Sequence, residues 1–435
     1  MIQPTPAQLL TAETGGIVTR ARAIALGLFA AIAVTLMLAT PASAADGQVS
    51  GRLVNAGQPL SGVELSITQE GVAPRTTASD ADGRWEFVVP SGVWALTLDE
   101  ATLPDGVSLR EGTPSTRSVT IKDGLPAVAN FFFGVGSTGQ GSDLDRAAQL
   151  GAEGLRFGLI IALAAIGLSL IFGTTGLTNF AHGEIVTAGA LTAWFLNVLV
   201  GLQLILAGIL SVILVGLFGA ALDKGLWGPL RRRGTGLIAA MIVSIGLAIL
   251  LRYFYLYLFG GATRPFNDYS GLAGIQIGPV SLTSVDYASM VIAVVVLALV
   301  IFALLRTRLG KATRAVSDNP ALAAASGIDV ERVITSVWIA GSACAGLAGV
   351  LLAISQQVSF QLGFQILLLV FAAVVMGGLG TAYGALVGSL IVGMLIQLST
   401  LVIPPELKNL GALAVLIIVL LIRPNGILGR RERVG

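Results

Sequence analysis

Arg306-Thr-Arg308-Leu-Gly310-Lys311-Ala-Thr-Arg314-Ala-Val-Ser-Asp318-Asn319-Pro320-Ala-Leu-Ala-Ala-Ala-Ser-Gly327-Ile-Asp-Val-Glu-Arg332 is a polar, basic island in an otherwise apolar half of the chain. The stretch before it, Tyr287–Leu305, carries no charge, and Val333–Pro405 contains no Asp, Glu, Lys, Arg or His. A helix needs about 20 apolar residues to cross a bilayer. The island therefore reads as a short soluble loop between membrane spans, where something outside the membrane can grip the protein.

Working outward, apolar runs predict spans at 155–173, 183–201, 203–222, 236–259, 287–305, 333–353, 365–379, 382–402 and 409–425. Two Gly/Thr-rich breaks, Gly173–Glu184 and Gly377–Gly384, leave room for broken or re-entrant pieces, so the expected total is about eight to ten. Alternating from an external residue 154 puts 223–235, 306–332 and the tail 426–435 inside. Arg231, Arg232 and Arg233, the basic residues of the island, and Arg430, Arg431 and Arg433 then all lie inside. The outside loop 260–286 has Arg264, Asp268 and Asp286 but no lysine, so the two sides obey the positive-inside rule. Arg252 falls about 27 Å along its helix from Gly234, at 1.5 Å per residue. With Tyr253, Tyr255 and Tyr257 beside it, it reads as a snorkelling anchor at the outer interface.

The chain of 435 residues is 54% hydrophobic and only 11% charged, against about 25% for a soluble domain. Its net charge of +2 suggests no nucleic-acid partner. The deficit of charge is uneven: 46–150 has the composition of a soluble protein, whereas 155–423 is mostly apolar. Arg20 and Arg22, the apolar Ala23–Ala39 and the small residues Ala42-Ser43-Ala44 make residues 1–45 a secretory signal, or an uncleaved anchor, so 46 onward is expected outside. From 46 to 136 the pattern has period two, as in Val63-Glu-Leu65-Ser-Ile67 and Arg84-Trp85-Glu-Phe87-Val-Val89, with Asp80-Ala-Asp82-Gly83 and Pro104-Asp-Gly as turns. This predicts a small all-β sandwich preceding an all-α polytopic membrane domain. The segment resembles carboxypeptidase-regulatory or prealbumin-like modules through its Pro59-Leu-x-Gly-Val63 and Asp-Ala-Asp-Gly-Arg-Trp-x-Phe. Asp80 and Asp82 read as turn formers in preference to cation ligands. Residues 137–154 read as a Gly-rich linker.

Two segments at membrane depth are candidate functional residues. Thr174-Thr-Gly176-Leu-Thr-Asn179-Phe-Ala-His182-Gly183-Glu184 carries Asn179, His182 and Glu184, toward the cytoplasmic side by the topology above. Ionisable groups there are costly and face a cavity or one another. The readings are a structural or gating break, a substrate contact, and a proton relay. His182 is the only histidine, too few ligands for a zinc site, so no metal is expected. The second, Gly377-Gly378-Leu-Gly380-Thr-Ala-Tyr-Gly384, follows no strand and has no lysine, so it reads as close helix packing or an elbow beside a translocation path. The lone Cys344 reads as a small packing residue. No Walker-type Gly-x4-Gly-Lys-Ser/Thr, catalytic triad or redox motif occurs. The expectation is a non-enzyme without a cofactor, which conducts passively, couples to an ion gradient or borrows energy from a partner.

Together these residues resemble the permease subunits of branched-chain amino-acid ABC importers, of the first-permease type. The likeness rests on Gly176-Leu-x-Asn-Phe-Ala-His-Gly-Glu184, Gly228-Pro-Leu-Arg-Arg and the run Ile242–Leu251. It extends through Gly310-x3-Arg314-Ala-Val-x-Asp318-Asn319-Pro320 to Gly327-Ile, Ala373-Val-Val-Met-Gly377-Gly378-Leu-Gly380-Thr, and Arg423-Pro-Asn-Gly-Ile-Leu-Gly-Arg430. It covers nearly all of 155–433; the exported front end departs from the family pattern.

The resemblance implies that 306–332 is a cytoplasmic coupling segment, in which Arg314, Asp318, Asn319, Pro320 and Gly327 carry the contact. A short helix at about 317–326, started by Asp318, Asn319 and Pro320, would sit on an ATPase subunit. It further implies two ABC ATPase subunits that bind ATP, a second homologous permease, an exported substrate-binding protein and the bilayer as partners. Asn179, His182, Glu184, Gly377, Gly378 and Gly380 would line or gate the path. Urea and short-amide permeases look similar, so cargo stays open between these and branched-chain amino acids. An ion-coupled carrier or channel would need paired intramembrane carboxylates or cations, for which Glu184 alone is a candidate. A surface-anchored receptor would not need so many Gly-broken helices.

Overall fold

The computed structural model describes residues 47–55, 58–69, 71–109, 114–121, 127–129, 131, 133, 142–266, 268 and 274–403, with 414, 417, 421 and 427. The expected signal, the Gly-rich 134–141, most of the 409–425 span and nearly all of the tail lie outside these residues.

The N-terminal part is built from strands β1 (Gly47–Arg52), β2 (Val54–Asn55), β3 (Gln58–Pro59), β4 (Glu64–Gln69), β5 (Val72–Ala78), β6 (Arg84–Val89), β7 (Gly92–Leu98), β8 (Thr116–Ile121) and β9 (Ala127–Val128). One sheet has the order β6-β1-β9 and the other β5-β4-β7-β8. The alternation places Leu65, Ile67, Trp85, Phe87, Trp94, Leu96 and Leu98 in one core, and their neighbours outside. Asp80 is a turn residue: its Oδ1 accepts the N–H groups of Asp82 at 2.9 Å and Arg84 at 2.7 Å, with Gly83 at φ 73°.

The membrane part follows as α1 (Asp143–Thr175), α2 (His182–Trp194), α3 (Leu204–Leu222), α4 (Gly228–Arg232) and α5 (Leu237–Phe259). A hairpin of β10 (Gly274–Ile277) and β11 (Val280–Thr283) leads to α6 (Ser284–Arg306), α7 (Arg308–Asp318) and α8 (Pro320–Ala325). Then come α9 (Val330–Gln356), α10 (Leu362–Gly377) and α11 (Ala382–Leu398). Single π-helical turns, Phe195–Leu199 and Asp223–Trp227, sit on either side of α3. Among the described residues six helices are long and apolar enough to cross a membrane, one of them running through α3, the π turn and α4 as Leu204–Arg232, and α10 is a shorter apolar one.

Three elements differ from expectation. First, α1 starts at Asp143, inside the expected 137–154 linker, because Ser142 and Asp145 form a reciprocal capping box. Second, the helix expected at about 317–326 is present as α8 but starts at Pro320, because a separate helix, α7, occupies the chain up to Asp318. Pro320 drives Asn319 into extended backbone (φ −159°, ψ 101°), which ends α7 at Asp318 and makes Asn319 the N-cap of α8. The Asn319 side chain accepts the Leu322 N–H at 3.0 Å. Third, Arg252 is not an interfacial anchor, as described below.

Helices α1, α2, α9, α10 and α11 form the buried core, held at close range by small residues facing one another. A Cβ on Gly377 would strike the Gly384 carbonyl, and one on Gly189 would strike that of Gly346. The packing reading of Gly377 and Gly384 therefore holds, while Gly378 (φ 112°) and Gly380 (φ 78°) form the break itself. Helices α5 and α6 are peripheral, with Ile238, Ile242, Val291 and Val295 exposed.

Candidate functional site

Helix α1 stops at Gly176, whose φ of 67° is left-handed. Thr175 bends its hydroxyl back to the Ile171 carbonyl at 2.6 Å. The chain then climbs extended alongside α5. Gly176 lies beside Leu237, and the Phe180 N–H reaches the Ser244 hydroxyl at 3.0 Å. The Asn179 side chain turns the chain by accepting the Ala181 N–H at 3.1 Å. Helix α2 thus begins within the membrane. His182 Nε2 lies 2.9 Å from the carbonyl of Ala164, in the middle of α1. A carbonyl only accepts, so Nε2 carries the proton. Thr174–Gly176 lie at the expected cytoplasmic end, but His182 and Glu184 are carried deeper by this ascent.

Glu184, in the first turn of α2, is fully buried. Its Oε1 accepts Arg252 Nε at 3.0 Å and Nη2 at 2.8 Å. The Tyr255 hydroxyl donates to the Glu184 carbonyl at 3.2 Å. The Phe364 ring covers the Arg252 guanidinium, 3.6 Å from Cζ. Arg252 therefore points inward to a carboxylate, while Tyr253 and Tyr257 stay on the exposed side. An intramembrane charge with a partner in reach pairs in preference to snorkelling. The sequence held the signal: one cation and one carboxylate, each alone in an apolar run. Arginine does not release its proton, so the pair is poorly suited to a proton relay. Asn179 Nδ2, His182 Nδ1 and Glu184 Oε2 are buried without a hydrogen-bond partner among the described residues.

A second cluster lies at the opposite end. The Gly173 position packs so tightly that a Cβ there would come within 3.1 Å of the Gly380 carbonyl and 3.2 Å of the Ser317 hydroxyl. The two Gly-rich breaks and the end of α7 therefore meet at one point. Ser169 Oγ donates to the Thr381 carbonyl at 3.1 Å beside them. Arg314, Asp318, Asn319, Pro320 and Gly327 are all exposed, whereas Thr313, Val316 and Ala323 anchor α7 and α8 inward. His182 and Glu184 are thus separate from the Gly377–Gly380 break.

A third cluster was not anticipated. Buried Asp223, in the second π turn, pairs with Arg231 at 2.8 Å and accepts the Thr335 hydroxyl at 2.7 Å. Arg231 also reaches Glu331 at 3.2 Å. Trp227 stacks on Trp338 with 5.9 Å between ring centroids. These contacts clamp the end of α3 and α4 to the first turns of α9.

Long apolar helices, broken segments between them and a buried ion pair at membrane depth make this a multi-pass membrane protein. The family "Branched-chain amino acid transport system / permease component" matches residues 151–420. The chain belongs to that family. It is 31% identical to the high-affinity branched-chain amino acid transport system permease protein LivH of Escherichia coli K12, over 64% of this chain and 94% of that protein. It is 32% identical to the corresponding permease BraD of Pseudomonas aeruginosa, over 64% and 95%. A likeness of 24% to the E. coli permease LivM covers 81% of this chain and 87% of that one. The solved structure of PsaBC from Streptococcus pneumoniae in complex with Fab aligns with 63% of this chain and 91% of that chain, at 16% identity and a TM-score of 0.38. That likeness is too remote to inform fold or function.

Proposed function

We propose that this protein is the membrane permease of an ATP-driven importer for branched-chain amino acids. Separate ATPase subunits bind and hydrolyse ATP, a second homologous permease completes the path, and an exported binding protein delivers the cargo. The chain needs no cofactor of its own and performs no chemistry on the cargo. The relatives named LivH, BraD and LivM support the cargo class and the pairing of two permeases.

The observation that carries the coupling role is the meeting of Ser317, Gly173 and Gly380. An ATPase that moves the exposed face of α7 and α8 pushes directly on both glycine breaks. Arg314, Asp318, Asn319, Pro320 and Gly327 form the face it grips; Gly377, Gly378 and Gly380 act as the gate, with Asn179, His182 and Glu184 above them along the path. By the positive-inside rule this face is cytoplasmic and the β-sandwich extracytoplasmic, on the side of the binding protein.

The test is co-purification of the ATPase subunits with Arg314→Glu/Asp318→Lys. The double variant is expected to insert normally and to lose the ATPases. Unchanged association removes the coupling assignment.

A further inference from the structure

Glu184 and Arg252 lie at membrane depth, where a charged group faces protein or a water-filled cavity in preference to lipid tails. Glu184 is fully buried, but the Arg252 side chain keeps 17% of its surface accessible. Both of its bonds to Glu184, from Nε and Nη2, end on the single oxygen Oε1. A guanidinium has five N–H groups. Three of them, two on Nη1 and one on Nη2, find no acceptor among the described residues.

The guanidinium is also held in place. Glu184 fixes one edge and Phe364 one face. Phe364 is itself positioned by its neighbour: the Gly363 N–H donates to Thr187 Oγ1 at 3.0 Å, and Gly363 packs directly on Gly183. The Arg252 side chain stays partly accessible beside α10, which it meets through Phe364. Phe364 and Leu368, one helical turn apart on the same face of α10, are both exposed. A fixed pair of guanidinium N–H donors matches the two oxygens of a carboxylate, a fit that lysine does not reproduce. Phe364 and Leu368 add an apolar surface beside it.

We propose that the open edge of Arg252 binds the carboxylate of the amino-acid cargo during its passage. Glu184 is the positioning residue, and Phe364 with Leu368 receives the aliphatic side chain. This rests on the branched-chain amino-acid reading above.

The test uses the complete importer in liposomes, with uptake of leucine, urea and acetamide measured alongside ATP hydrolysis. Two variants are compared with wild type: Arg252→Lys, and the neutral pair Glu184→Gln/Arg252→Gln, which leaves no unpaired charge. Both are expected to hydrolyse ATP near the wild-type rate while leucine uptake falls by about tenfold or more, the loss of a bidentate charge-assisted contact. Wild-type leucine uptake in either variant overturns the proposal, because the pair is then structural only. Loss of ATP hydrolysis together with uptake in both variants overturns it too, since that marks a packing role. A wild-type importer that accumulates urea or acetamide and not leucine refutes the cargo reading itself, a result visible before any variant is made.

Discussion

Arg231 grips Asp223 through a 2.8 Å ion pair that ties the π turn ending α3 to the short helix α4. Asp223 is buried, so an unpaired partner there is costly, whereas Glu331, the other partner of Arg231, is about half exposed. Asp223→Asn is expected to destabilise the purified protein by about 3 kcal/mol, as for one partner of a buried pair. Glu331→Gln is expected to cost less than about 1 kcal/mol, as for a surface pair. Unfolding in detergent ranks the two, and equal losses refute the assignment of Asp223 as the anchor.

Gly363 and Gly246 offer a matched pair of glycine substitutions. A Cβ at Gly363 meets the Gly183 carbonyl and the Thr187 hydroxyl, whereas one at Gly246 on α5 meets nothing within 4 Å. Gly363→Ala is expected to cost about 1–3 kcal/mol through overpacking. Gly246→Ala is expected to be neutral or to stabilise by up to about 1 kcal/mol through helix propensity. Thermal unfolding of both variants in the same detergent checks the contrast; a harmless Gly363→Ala contradicts the close approach of α2 and α10.

Asn319 caps α8 through its side chain, so Asn319→Ala is expected to cost about 1 kcal/mol of local stability and Asn319→Asp almost nothing. Hydrogen exchange over residues 320–326 reads this directly. Faster exchange in the alanine variant alone is the expected pattern. Equal exchange in both argues that α8 is held by Ala323 and not by its cap.

Much of this architecture was legible because its causes are local. Period-two runs such as Trp85-Glu-Phe87 made strands, and charge-free stretches such as Val333–Pro405 made membrane helices. Asn319-Pro320 announced a helix start, although the helix ending at Asp318 was hidden by an unbroken polar pattern. The distant pairings were less legible. Arg252 and Glu184 are 68 residues apart, and Asp223 and Thr335 are 112 apart. Spacing along the chain encodes neither; only the climb of Asn179–Ala181 along α5 and the packing of α3 on α9 bring them together. A rule requiring every intramembrane charge to find a partner would have recovered the first pair.

Ser142 and Asp145 cap the start of α1 through each other: the Ser142 hydroxyl accepts the Asp145 N–H, and the Asp145 carboxylate accepts the Ser142 N–H. Among the described residues the two apolar cores share none: the buried residues of one run from Val49 to Phe131, those of the other from Phe157 to Ile396. Each part therefore carries a core of its own, and the permease helix carries its own start. A front end of different sequence, spliced just ahead of Ser142, would meet a helix that already starts itself, so the β-strand module can diversify while the permease behind it stays unchanged.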